Sequence, residues 1–278
     1  MVAGISIEQV ERAEAEAWFD LEAAMPEPLR SEQGLVARRI GGAVALSVRA
    51  DTSGYWSQTL GLGHDEPVTA ELMARICRFY REQNTPAATI QLASALQPDD
   101  WEAICAREGL SRGRAIVQLV AEVQAVLAGH EGFARLEPEL RLESIGPEHA
   151  RSWATMTADV FGSQLAGIPE MFEACVGRRG WHVFGVWHGD RLVSGGLSVD
   201  IDGVALLFAG ATRPEFRGRG AQSALILARA RAAAQAGCRW LVTQTGTEDP
   251  GTHNSSLHNL LRLGFEAVYE RPSWSLKP

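Results

Sequence analysis

The stretch Arg217-Gly218-Arg219-Gly220-Ala221-Gln222 lies between two runs of opposite structural preference. Before it, Val204-Ala205-Leu206-Leu207-Phe208-Ala209-Gly210-Ala211-Thr212 is apolar and reads as a strand, which Pro214 stops because proline cannot donate to a ladder. After it, Ser223 to Ala234 is rich in strong helix formers and holds neither glycine nor proline. The order strand, basic glycine-rich turn, helix brings free backbone N–H groups and the positive end of a helix dipole to one point, which is an anion site. Glycine lets a ligand approach the backbone, and arginine meets phosphate oxygens with two parallel donors. Alone, the turn would read as an exposed basic loop; it matches neither GxGxxG nor the Lys-Ser/Thr of a P-loop.

The last quarter of the chain narrows the reading. Gly237 to Thr245 reads as a turn and a buried strand, Gly246 to His253 as a polar loop, and Ser255 to Leu263 as a short helix that Gly264 ends. Phe265 to Tyr269 reads as a further strand. Thr212-Arg213-Pro214-Glu215-Phe216-Arg217-Gly218-Arg219-Gly220, followed by a helix, a strand and Asn259-Leu260-Leu261-Arg262-Leu263-Gly264-Phe265, resembles the GNAT superfamily of acyl-CoA N-acyltransferases. Both segments stand in that family's order and at about its separation.

The resemblance implies a mixed α/β fold and acetyl-CoA as co-substrate. It places the pyrophosphate on Arg217, Gly218, Arg219, Gly220, Ala221 and Gln222, and the pantetheine arm on Gly210, Ala211 and Thr212 and on Asn254, Ser256 and Asn259. A bulge or splay in the strand before the loop would free N–H groups to polarise the thioester carbonyl. The sequence departs from the family at three points. Gln222 replaces a small residue of the loop. Leu260 or Leu261 stands where a tyrosine often protonates the leaving thiolate. The strand before the loop lacks the glutamate that often serves as base.

At 278 residues the chain has room for one large domain or two ordinary ones. A net charge of −8 argues against nucleic-acid and anionic-membrane partners and mildly favours a cationic acceptor. Cys77, Cys105, Cys175 and Cys238 form no CxxC pair, so buried free thiols and no metal are expected. The start Met1 to Glu8 has no signal-peptide pattern, and no apolar run reaches the ~20 residues of a membrane span, so a cytoplasmic protein, monomer or homodimer, is expected.

The layout is read twice. In the second half, Leu140 to Ile145, His182 to Trp187, Leu192 to Val199 and Val204 to Thr212 read as strands, with helices at His149 to Phe161 and Pro169 to Val176. In the first half, helical text fills Ile7 to Met25, a hairpin turns at Gly41-Gly42, and Trp56 to Gly61 is a third strand. A helix at Val68 to Glu82, a strand at Ala87 to Ala93, a helix at Asp99 to Arg107 and a strand at Ile116 to Val123 follow. This predicts two β-α-α-β-β-β-α-β-α-β units in tandem: residues 1–128 a degenerate copy, 129–138 a linker, and 139–278 the domain binding acyl-CoA. In the copy, Gly61-Leu62-Gly63-His64-Asp65-Glu66-Pro67 takes the place of the phosphate loop, and its carboxylates would repel a pyrophosphate.

The expected reaction is transfer of an acetyl group to a primary amine of a small molecule or peptide, by direct attack in a ternary complex. It needs a base, oxyanion donors and an aligned nucleophile. Glu248, Asp249, His253 and His258 are candidate bases, with His258 first because imidazole titrates near neutrality. Asp159 or Glu173 acting through water is the alternative, and Trp153, Phe161 and Phe172 are candidates to line an acceptor pocket. The missing tyrosine and glutamate also fit a non-catalytic acyl-CoA sensor or scaffold. A nucleotide-binding module is a weaker third reading.

Overall fold

A computed structural model describes residues 4–129, 133, 135–248 and 251–277. The helices are α1 (Ile7–Ala23), α2 (Leu29–Gln33), α3 (Ala70–Glu82), α4 (Trp101–Glu108), α5 (Val123–Ala128), α6 (Pro147–Phe161), α7 (Ile168–Glu173), α8 (Ala221–Gln235) and α9 (Ser255–Arg262). The strands are β1 (Leu35–Ile40), β2 (Ala43–Val48), β3 (Gln58–Leu60), β4 (Ala88–Gln91), β5 (Ser111–Glu122) and β6 (Leu140–Ser144). They continue with β7 (Trp181–His188), β8 (Arg191–Ile201), β9 (Val204–Thr212), β10 (Trp240–Gly246) and β11 (Glu266–Leu276). The fold is mixed α/β, as the residue patterns predict, with α2 and α5 in addition to the predicted elements.

All the strands join one sheet in the order β1-β2-β3-β4-β11-β5-β10-β9-β8-β7-β6. The two halves interleave. β5, from the first half, pairs with β10 of the second, while β11 passes between β4 and β5. The sequence ends the last strand at Tyr269, yet β11 runs on to Leu276. Its far end, Ser273 to Leu276, pairs with β4, and Pro272 sits at an irregularity in the β5 register where its missing N–H costs no ladder bond.

Helices cover both faces because the strands are apolar on both. β2 is buried along its whole length, so Val44, Leu46 and Val48 face one way and Ala43 and Ala45 the other. On one face α1, α6 and α7 share a single apolar cluster that runs from Val10, Trp18 and Leu46 to Trp153, Leu197 and Val242, and so fuses the halves. On the other face α3 and α4 cover the first half, with α5, α8 and α9 over the second. Two helices end on a left-handed glycine: Gly109 and Gly264 lie at positive φ immediately after α4 and at the end of α9. α1 begins at a capping box formed by Ser6 and Gln9.

A buried ionic group also ties the halves. Arg271 of β11 reaches Glu11 at 2.7 Å and Glu14 at 2.8 Å on α1. Glu14 accepts from Gln118 of β5, and Gln244 of β10 accepts from both Arg271 and Gln118. All three charged residues are at most 1% exposed, and burial raises the Glu11 carboxyl despite the guanidinium beside it.

Candidate functional site

The site begins where two parallel strands part. β9 and β10 pair only over Val204 to Leu206 against Trp240 to Val242. The Thr243 hydroxyl then donates to the Leu207 carbonyl at 2.9 Å. Among the described residues no further registered pair joins them, although β9 continues to Thr212 and β10 follows β5 to Gly246. The result is a fork in the sheet, with backbone N–H and C=O groups on its edge.

β9 also bulges at the fork. Phe208 faces Leu197 and Ala211 faces Gly195, so Ala209 and Gly210 stand against Gly196 alone. Ala209 has φ +50°, a left-handed conformation that costs a non-glycine residue about 1–2 kcal/mol. Gly210 has open space where a Cβ would stand. Gly196 faces the guanidinium of Arg229 on α8, which is 4% exposed and donates to the carbonyls of Leu225 and Leu197. Arg229 is absent from the residues expected at the site, although it falls on the stripe of α8 that holds Leu225, Ile226, Ala230 and Ala233.

The basic loop leads from β9 into α8 as expected, but its residues have different tasks. The N-cap of α8 is Gly220 with no side-chain cap, so first-turn N–H groups remain available to an anion. Among the described residues, nothing lies within 4 Å of a Cβ position on Gly218, which has φ +79°, and the exposed Arg217 reaches the Thr212 carbonyl at 3.4 Å. Gly220 is used by the chain itself: a Cβ there would fall 2.2 Å from the Arg135 carbonyl oxygen. Arg219 turns to Glu139 at 2.9 Å and Glu137 at 3.3 Å, and its own carbonyl accepts from the Glu137 N–H. Residues 135–137 of the expected linker therefore lie against the loop. Gln222 reaches the Ser256 hydroxyl at 3.4 Å, which joins the first turns of α8 and α9.

The matching place in the first half is closed. Thr69 caps α3 by accepting from the Leu72 N–H, so the end is already served. The Glu66 and Asp65 side chains press on Gly41 and Gly42 of the hairpin turn, and Leu96 lies 3.3 Å from a Cβ position on Gly63.

At the α9 end of the fork, Asn254 is the N-cap and accepts from Ser256 and Leu257. Its amide donates to Thr245 and Gly246, and its backbone N–H donates to Glu248. Asn259 is buried and accepts from Arg262. His258 lies on the outward side of α9, with Nε2 3.0 Å from both Glu248 oxygens, and its ring stacks on His253 at 4.5 Å. Because β10 runs parallel to β9, this group stands at the edge of the sheet that carries the basic loop, away from the inner end of the fork. Asp249 lies outside the described residues. Asp159 is exposed, Glu173 pairs with Arg151, Trp153 and Phe172 are core, and Phe161 is 57% exposed. Leu260, near the family's tyrosine position, is buried.

A family model of the acetyltransferase (GNAT) domain matches residues 106–249, just over half of the chain. The chain belongs to the GNAT acetyltransferase family. The matched span opens in α4 and takes in β5 to β10 with the fork and the basic loop, and it stops before α9 and β11. Solved structures share the fold. A tandem GNAT protein from the clavulanic acid biosynthesis pathway superposes with a TM-score of 0.62 at 16% identity, covering 98% of this chain and 96% of that one. A GCN5-related N-acetyltransferase from Sphaerobacter thermophilus gives 0.60 at 13% identity, with 98% and 95% covered. One from Kribbella flavida gives 0.59 at 14%, with 94% and 95% covered. A search of curated protein sequences finds no match. As a family member the chain is an N-acetyltransferase that draws its acyl group from acyl-CoA. No helix among the described residues is long and apolar enough to cross a membrane.

Proposed function

We propose that the protein transfers an acetyl group from acetyl-CoA to a primary amine of a small molecule or peptide, by direct attack in a ternary complex. The observation that carries this reading is the fork between β9 and β10, bulged at Ala209 and leading to the uncapped start of α8. Arg217, the Gly218 backbone and the first-turn N–H groups would hold the pyrophosphate. The free edge of residues 208–212 would pair with the amides of the pantetheine arm. An N–H at the bulge would donate to the thioester oxygen as it gains charge. The amine nitrogen bonds to the carbonyl carbon, the C–S bond breaks, and the amine's proton leaves to solvent or to the thiolate.

The cysteines support a mechanism without an acyl-enzyme. All four are buried, and burial pushes Cys77, Cys175 and Cys238 up to about 12 and Cys105 to about 11, so none is a thiolate near neutral pH. We assign the catalytic region to the second half and read the closed loop of the first half as a copy that does not take CoA. His258 is not used here, since it faces Glu248 at the loop edge.

On the face crossed by α1, the first half offers a wall for the acceptor. Tyr55 is 57% exposed, edge-on to Trp18 and Trp56, on a loop fastened by Asp51 to Ser53 and Trp56. Glu14 connects through Arg271 to Gln244, past the fork. The test is thiol release from acetyl-CoA across a panel of primary amines. Turnover with one amine class supports the reading; acetyl-CoA binding without turnover on any amine would replace it with an acyl-CoA sensor.

A further inference from the structure

The connection from β10 to α9 gathers three metal-ligating side chains on the loop edge. Glu248 follows β10, His253 precedes the cap of α9, and His258 lies one turn into that helix. One donor atom from each lies within 4.8 Å of the other two. His258 Nε2 is 3.0 Å from Glu248 Oε1, and His253 Nδ1 is 3.8 Å from the same oxygen. Donors around a tetrahedral zinc ion stand about 3.3–3.5 Å apart, given bonds of about 2.0–2.2 Å. Small rotations of two exposed imidazoles bring the set to that spacing.

The arrangement is held by the backbone. Asn254 bonds Thr245, Gly246, Ser256 and Leu257 with its side chain and Glu248 with its N–H, which ties the end of β10 and Glu248 to the start of α9. Two imidazoles and one carboxylate select a first-row transition metal over magnesium or calcium, which prefer oxygen.

We propose that Glu248, His253 and His258 form a binding site for one divalent transition-metal ion, zinc foremost, with a coordination position left to solvent. The ion cross-links the end of β10 to α9 beside the basic loop. The site is independent of the acyl-transfer reading, because its occupancy is read without substrate.

The test is titration of untagged, chelator-treated protein with Zn2+ by calorimetry, with a melting curve at each Zn2+ concentration. One equivalent taken up saturably, with a Tm that rises with Zn2+, is expected. His253→Ala and His258→Ala should each weaken uptake at least tenfold, while His149→Ala on α6 leaves it unchanged. Co2+ in place of Zn2+ should give the visible absorption of a four- or five-coordinate site. No saturable uptake, or uptake unchanged in the His253→Ala/His258→Ala double variant, would overturn the proposal. The imidazoles are exposed, so circular dichroism of the variants should match the parent protein.

Discussion

Arg229 donates from Nη1 to the carbonyl oxygen of Leu197, 3.3 Å away, beneath the point where Gly196 faces the bulge of β9. Its Nε donates to the Leu225 carbonyl at 3.0 Å. Burial alone lowers its pKa, to about 10, so the guanidinium stays charged near neutral pH. A cation so placed is costly to bury, and its geometry fixes the backbone on which the bulge is built.

Arg229→Ala should therefore destabilise the protein by about 3 kcal/mol, since it removes a packed stem and strips two buried carbonyls of their donor. Arg229→Lys keeps the charge but not the fork of donors, and should fall between the two. Urea midpoints at constant m-value measure both. An Arg229→Ala midpoint equal to that of the parent would mean that water takes over the carbonyls.

Arg271 offers a sharper case. Its guanidinium is fully buried between Glu11 and Glu14. Arg271→Met should cost about 3–5 kcal/mol by leaving two carboxylates buried without a cation. Adding Glu11→Gln and Glu14→Gln should recover part of that loss. Equilibrium unfolding of the single and triple variants decides it, and equal stabilities would show that the carboxyls simply take up protons.

These two arginines mark where the sequence stops speaking. The basic loop and the elements on either side of it are legible because every cue is local: an apolar run, Pro214, a glycine-rich turn and an alanine-rich helix follow one another in the chain. Thr69 capping α3 and Gly220 starting α8 uncapped are local contrasts of the same kind. The reach of β11 to Leu276 is not local. Arg271, Pro272, Ser273 and Ser275 look unlike a central strand, and they become one because β4 and β5 stand on either side and α1 brings carboxylates 257 and 260 positions away in the chain. Gly220 teaches the converse: in sequence it marks room for a phosphate, whereas in the fold the Arg135 backbone fills that room.

Glu22 should make stability depend on pH. It is fully buried on α1, neither carboxyl oxygen has a hydrogen-bond partner among the described residues, and burial, with Asp51 nearby, raises its pKa well above the ordinary 4.5. In the window from 4.5 up to the folded value the native state holds a proton that the unfolded state has released. Unfolding free energy therefore falls as pH rises through that window. Glu22→Gln should abolish this fall, and the gap between variant and parent should widen from pH 5 to pH 8 in matched urea titrations. A constant gap would mean that Glu22 is ionised in the folded protein at both pH values.

The two arginines of the basic loop should separate in acetyl-CoA binding. Arg217 is exposed and spends one weak bond on the Thr212 carbonyl, so it is available to phosphate. Arg219 is engaged by Glu137 and Glu139 and must leave both to reach the same ligand. Arg217→Ala should weaken acetyl-CoA about tenfold, equivalent to about 1.4 kcal/mol, and Arg219→Ala by less. Neutralising the partners gives the complementary result: Glu137→Gln with Glu139→Gln should tighten binding by freeing Arg219. Raising the salt should narrow the differences, since the contacts are exposed and screened. Calorimetric titration of acetyl-CoA into the four proteins measures all of this. A larger loss for Arg219→Ala than for Arg217→Ala would show that the ligand displaces residues 135–137 from the loop and draws Arg219 onto its phosphates.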